Sequence, residues 1–395
     1  MISGKNNLAQ TNRLALRSAV MRLALLAASV APLAIVAATG VLADGVNGSA
    51  GTNAPNYNTP GTGGNAGLSG NGVATGVQGT NGDTSNAVPG GFGGASDSGG
   101  GGGGGYILGA GGGGGGAGGA GTAVSTSISV LSNLQGGAGG AGGAGWGETQ
   151  GGYRVGRGGG GGGGGSGIFV TGAAADLAVT IGSGVTVNGG NGGQGGAANT
   201  SWSYGVNATD NGAGGSGGNG VTAAGAIKTS IVNDGTIQGG KGALGGKFVM
   251  SDPSVRGAEG QGGFGIAGSN LDITNNASGT ISGGMNAGNN SRRQAIYLTG
   301  GTNSIHNEGL IVGTIELAGG TTTLSGTYSN VLKINGGATL SLGADSATGF
   351  TSFNNAGGTI NVGEENMLSA GTIFNSAGGR STWLPARCSG AQAIP

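Results

Sequence analysis

The sequence predicts an all-β protein, a parallel β-helix (β-solenoid) carrying long glycine-rich insertions. Three observations lead there. Glycine supplies 106 of 395 residues, against an average of about 7%. Short apolar segments with period-two alternation recur in sets of three. Beyond residue 314 the sets tighten to a spacing near twenty, the mark of a rung-by-rung array.

Glycine brings no side chain to bury and loses the most backbone freedom on folding, so long stretches of this chain cannot build an ordinary helical or doubly wound core. Charged residues are 8% and aromatic residues 4% of the chain. Formal net charge is zero, from 15 basic and 15 acidic residues. Lys5, Arg13, Arg17 and Arg22 precede the first acidic residue, Asp44, so removing that segment leaves 11 − 15 = −4. A mildly acidic chain lacks the basic footprint of nucleic-acid binding.

Residues 1–22 are polar and basic, and Leu23 to Val36 form an apolar run of signal-peptide length. Val41 and Ala43 stand at the −3 and −1 positions that signal peptidase reads. The expectation is a signal peptide over residues 1–43, cleaved after Ala43, which makes the export machinery a partner. Residues 44–105, rich in Gly, Asn, Thr and Ser, read as a flexible or irregular lead-in.

Glycine runs follow at 99–105, 111–116 and 158–165. They match G-x-G-x-x-G many times over, but no helical periodicity follows any of them and Gly-Lys-Ser/Thr never occurs, so no nucleotide cofactor is expected. In Gly189-Gly190-Asn191-Gly192-Gly193-Gln194 a Gln replaces the Asp of the calcium-binding nonapeptide.

The β-solenoid is expected over 106–379. One set of strands lines up at Gly167, Gly220, Gly265 and Ala295; a second covers 178–181, 229–234, 271–276 and 303–308; a third covers 184–190, 235–240, 279–284 and 309–314. Asn335–Gly343 recurs twenty residues on at Asn355–Gly363, with Thr323 opening an earlier member. Pairs such as Val185/Val187, Leu271/Ile273 and Leu340/Leu342 share one strand face. Stacked coil over coil they form an inner column, each worth about 1.5–3 kcal/mol when covered. Asn188, Asn233, Asn275, Asn307, Asn335 and Asn355 sit near turns, where they can stack into amide ladders or stand exposed. The insertions, such as 188–220 and 238–265, fall between repeats and are expected to loop out from one side. Gly-Gly-Ala and Gly-Gly-Asn triplets at 136–145 and 189–196 admit a second local reading, polyproline-II-like helices in which only glycine fits at the contacts.

Ile231-Val-Asn-Asp-Gly-Thr-Ile, Ile273-Thr-Asn-Asn-Ala-Ser-Gly-Thr-Ile and Ile305-His-Asn-Glu-Gly-Leu-Ile resemble the rungs of autotransporter passenger domains, over roughly residues 166–379. The resemblance implies export to the periplasm, passage through a C-terminal outer-membrane β-barrel and surface display of a right-handed parallel β-helix, commonly as an adhesin with a host or matrix ligand. No barrel strands are legible after residue 320. Residues 380–395 change character, which suggests a frameshift or truncation near Gly379; the protein would then stay in the periplasm unless a barrel is supplied. The glycine triplets also resemble the glycine-rich repeats of mycobacterial surface proteins.

No catalytic, cofactor-binding or metal-binding residue is singled out. Cys388 is the sole cysteine and His306 the sole histidine, which excludes a disulfide framework or a multi-His metal site within the chain. His306 reads as an exposed strand residue beside Asn307. Asp234 and Asp272 read as turn-capping residues, and no Gly-x-Ser-x-Gly elbow accompanies His306. The function expected is non-catalytic: an exported passenger with an adhesin-like or structural role. The alternatives are a glycine-rich structural protein packed as polyproline-II-like helices, or a non-functional truncated remnant.

Overall fold

Period-two segments dominate the architecture wherever the chain has apolar side chains. The structure, a computed structural model, describes residues 43–56, 58–73, 75–83, 91, 93–94, 105–106, 110–146, 155–172, 175–198, 210–223, 225, 227–248, 255–362, 367–375 and 380–383. Residues 1–42 of the expected signal peptide, and Cys388, lie outside the described residues. Among the described residues there is no α-helix, and the strands of the main body pair in parallel as a β-solenoid.

Each full coil contributes a strand to three faces. The first face stacks Thr122–Val124, Ile168–Val170, Val221–Ala223, Ile266–Ser269, Ile296–Gly300 and Ile315–Leu317, then continues through Val331–Asn335. The second stacks Ile128–Val130, Leu177–Ile181, Thr229–Asn233, Leu271–Asn275, Thr302–Asn307 and Gly320–Thr327. These two faces belong to one 17-stranded sheet. The third is a 5-stranded sheet: Leu134–Gln135, Thr186–Asn188, Thr236–Gln238, Thr280–Ser282 and Leu310–Val312. The coil over 122–135 was not singled out above, although Ile128/Val130 carries the same alternation.

Alternation turns one side chain in two inward, and parallel register stacks like on like. On the second face the inner column reads Ile128, Val179, Ile231, Ile273, Ile305 and Leu324. On the third it reads Leu134, Val187, Ile237, Ile281 and Ile311. All are buried in one continuous core. No coil could cover its own apolar face, so each is stabilised by the coils above and below it. Toward the C-terminus aromatic residues fill the interior: Tyr328 stacks on Phe350 with ring centroids 4.3 Å apart, and its hydroxyl donates to the carbonyls of Ser325 and Ile305.

The short corners between the first and second faces from residue 270 to residue 320 turn through left-handed backbone. Gly301 and Gly320 supply it at φ 73° each, and Asn270, at φ 56°, is the one non-glycine residue among the described residues to do so. Asn tolerates this region through local hydrogen bonding; here the Asn270 side chain donates to Gly225 and accepts from the Thr302 N–H.

The sequence-expected tail at 380–395 begins inside the fold. Arg380–Trp383 pairs in parallel with Thr359–Val362 and continues the second face.

The insertions do leave one side of the solenoid, at the corner between third and first faces, but they do not hang free as separate loops. Each runs out and back as a hairpin, and neighbouring hairpins hydrogen-bond at every third residue. Gly136, Gly139, Gly142 and Gly145 donate to the carbonyls of Asn188, Asn191, Gln194 and Ala197. Gly137, Gly140 and Gly143 donate to Gly119, Gly116 and Gly113 on an antiparallel neighbour. This repeat, with no internal hydrogen bonds and no left-handed glycine in either segment, is that of three-residue-per-turn extended helices packed side by side. Residues 43–83, expected as an irregular lead-in, join the same lattice: Gly45, Gly48 and Gly51 donate to Gln135, Ala138 and Ala141. The physical reason is that buried backbone groups must find partners, and a chain without side chains lets another backbone approach closely enough to provide them.

Candidate functional site

The glycine lattice occupies layers. Outgoing segments 43–54, 136–146, 189–198 and 239–248 form the outer layer; returning segments 61–70, 111–121, 158–167, 212–220 and 257–265 form the next; 75–83, with Gly91 and Gly94, cover part of the far side. A segment flanked on all sides has no room for side chains in any register. Residues 111–116 and 158–165, the all-glycine runs, are buried throughout. A Cβ on Gly162 would collide with the Gly116 carbonyl, and one on Gly116 with Asn65. Outer-layer segments are free on one side, and there the third residue of each triplet is Ala141, Asn191 or Gln194, all exposed. Glycine content thus reports position in the lattice.

Outward positions of the solenoid make a second surface. On the second face, Thr302, Thr321, Thr339 and Thr359 stand in register, and beside them Ser230, Asp272, Ser304, Thr323, Ser341 and Asn361. Neighbours in such a column lie about 4.7–4.9 Å apart. The result is a flat hydroxyl-rich face, interrupted by the Lys228–Asp272 ion pair at 3.1 Å.

Among the expected amide ladders, Asn233, Asn275 and Asn307 form one. Their amides bond in series at 2.8 Å, although they are 42 and 32 residues apart in sequence. All three are buried. Asn355 bonds Asn375 at 3.0 Å in a second ladder. Asn335 instead donates to Glu316 at 2.7 Å, and Asn188 has no place in a ladder among these bonds.

Asp234 and Asp272 do not form a shared site. Asp234 accepts from the Asn276 side chain at 2.8 Å, while Asp272 pairs with Lys228 and bonds Ser304. Coil stacking does bring His306 between Ser325, 2.9 Å from Nδ1, and Glu308, 3.3 Å from Nε2. Sequence distance hid this group, since Ser325 lies 19 residues from His306. The His306 and Glu308 side chains are 42% and 59% exposed on an open sheet face, so no wall excludes water as acyl transfer would need.

A further cluster lies where the long insertions end. Phe264 stacks on Tyr297 at 4.6 Å, with the Arg293 guanidinium 4.5 Å from the Phe264 ring centre. Next along the column Glu316, 8% exposed, accepts from Gln294 at 2.5 Å, Asn335 at 2.7 Å and Lys333 at 3.0 Å. Burial pushes the Glu316 carboxyl up, but the hydrogen bonds from Asn335, Lys333 and Gln294, with the Lys333 charge, more than offset this and hold it below its ordinary range. Burial lowers Arg293, against the opposing pull of Glu316 and Tyr297. A carboxylate so fully held serves as a tie between coils rather than as a proton carrier.

Among the described residues no group of His, Cys, Asp and Glu is arranged to hold a metal ion, and no helix is long and apolar enough to cross a membrane. No family model, curated protein or solved structure matches the chain.

Proposed function

We propose that the chain is an exported passenger-type scaffold, a β-solenoid stiffened along one flank by the glycine lattice, with an adhesive or structural role at the cell surface. The observation that carries the reading is the every-third-residue hydrogen bonding that ties insertion to insertion. Such a lattice makes glycine a source of rigidity, which suits a spacer or display element. Neutral Asn, Ala and Gln on the lattice and Thr and Ser on the second face present flat, weakly charged surfaces to a ligand of the host or matrix. The start of the lattice supports export: Asp44, the residue after the expected cleavage point, already bonds the Gln135 N–H at 2.8 Å.

A second reading, a glycine-rich structural protein without a ligand, draws on the same lattice. Two measurements separate and test these readings. N-terminal sequencing of the protein from periplasmic and surface fractions is expected to begin at Asp44; an uncleaved chain confined to the cytoplasm overturns export. Cells displaying the protein are then expected to retain matrix polysaccharide or protein better than cells without it, and equal retention favours the purely structural role.

A further inference from the structure

Among the described residues the coil over 122–135 is the first of the solenoid, and each of its three strands pairs on one side only. Thr122–Val124 pairs with Ile168–Val170, Ile128–Val130 with Leu177–Ile181, and Leu134–Gln135 with Thr186–Asn188. In a parallel strand a residue sends its N–H and carbonyl to one side, and its neighbours send theirs to the other. Thr122 donates to Gly167, and Val124 and Val130 accept from Thr171 and Gly182 of the next coil. The groups of Ala123, Ser129 and Gln135 therefore face away from it. An end of this kind is where a further coil adds.

Two of these three residues are already taken by segment 43–73. The Asn71 side-chain amide donates to the Ala123 carbonyl at 2.6 Å, and its oxygen accepts the Ala123 N–H at 3.3 Å. One side chain thus replaces the peptide groups of a preceding strand. On the third face the Asp44 carboxylate accepts the Gln135 N–H at 2.8 Å, and the Gly45 N–H donates to the Gln135 carbonyl at 2.8 Å. Ser129, on the second face, has neither bond among the described residues.

Asn71 is held in place for this contact. Gly72, at φ 82°, donates to the Ser69 carbonyl and closes a tight turn. The hydroxyl of Ser69, 2% exposed, donates to the Asn71 amide oxygen at 2.6 Å and accepts from the Val73 N–H at 2.8 Å. An amide fixed in this way loses little freedom on bonding Ala123. Reversing the chain between 61–70 and 75–83 needs only the left-handed residue that Gly72 supplies, and does not need an amide aimed at a strand edge.

We propose that residues 43–73 cap the solenoid: Asn71 on the first face and Asp44–Gly45 on the third occupy the groups that a further coil would use, and so keep a second copy from adding end to end. The opposite end of a second copy is the matching partner, because Leu368–Asn375 on the first face and Arg380–Trp383 on the second also pair on one side only among the described residues. Asn71 closes the first of these contacts, and the single free residue Ser129 is too little to hold a coil. The inference stands apart from the export reading, because it concerns only the folded body.

Amide hydrogen exchange on the purified full chain tests the cap, with Ser129 as internal reference. The Ala123 and Gln135 amides are expected to exchange about tenfold or more slowly than that of Ser129; equal rates overturn the proposal, whether or not any variant folds. Light scattering tests its purpose. Asn71→Ala is expected to associate as concentration rises, beyond anything seen for the parent. Adding Ala123→Pro removes the N–H so exposed, at an edge position that accepts proline, and is expected to restore the parent's size. A folded Asn71→Ala that scatters like the parent overturns the proposal, as does association that persists with Ala123→Pro.

Discussion

At the scale of single residues, the lattice distinguishes glycines that look alike. Gly162 donates to Gly140 while its missing Cβ makes room for the Gly116 carbonyl, whereas Ala141 points outward and is exposed. Gly162→Ala is expected to destabilise by about 1–3 kcal/mol, as overpacking does, and Ala141→Ser to stay within about 0.5 kcal/mol, both read from urea midpoints. Glu316 makes a pH prediction. Its carboxyl is held below its ordinary value of 4.5, so its contribution to stability is present above that value and is lost as pH falls through the lower folded value. An acid titration of stability should show this loss in the parent chain and a shallower slope in Glu316→Gln, with equal slopes refuting the assignment.

At the scale of elements, the coils were legible and the insertions only half so. Val179, Ile231 and Ile273 announce their inward face by alternation alone, and the structure stacks them in register. The triplets at 136–145 and 189–196 likewise show their three-residue period, but not what lies against them. The lead-in also carries glycine at every third position, at Gly45, Gly48 and Gly51 and again at Gly61, Gly64 and Gly67, but it read as irregular because Val46, Ser49 and Thr52 stand between those glycines in place of the Gly-Gly pairs seen later. Amide hydrogen exchange checks this layer of structure. Amides of 111–116 and 158–165, each inside the lattice, are expected to be protected as strongly as those of Thr229–Asn233; exchange at the rate of an open chain would remove the lattice.

At the scale of the whole molecule, two modes of stacking share one chain. The described residues belong to one compact unit, 38–395, in which coils add along the solenoid and hairpins add along the lattice in the same order. A repeat array is stabilised chiefly by its neighbours, so the two arrays should fail together where they are joined. Replacing residues 191–217 by a short turn keeps the strands that flank them but opens a gap between 136–146 and 239–248. Expected results are a lower melting temperature and lost exchange protection in both segments bordering the gap. A variant that melts like the parent would mean that the lattice rests on the solenoid without supporting it.

By itself the sequence determined the all-parallel coils, their inward columns and the corners that need glycine or Asn, because period two and turn chemistry act within a few residues. Only the tertiary structure decided the use of the glycines and the company of the polar groups. Whether Gly162 or Ala141 faces a neighbour depends on segments far away in the chain, and Ser325, His306 and Glu308, or Glu316 with Gln294 and Lys333, meet only when one coil is laid on another. Backbone hydrogen bonds between extended segments carry no side-chain signature, so the sequence could permit this lattice but not draw it.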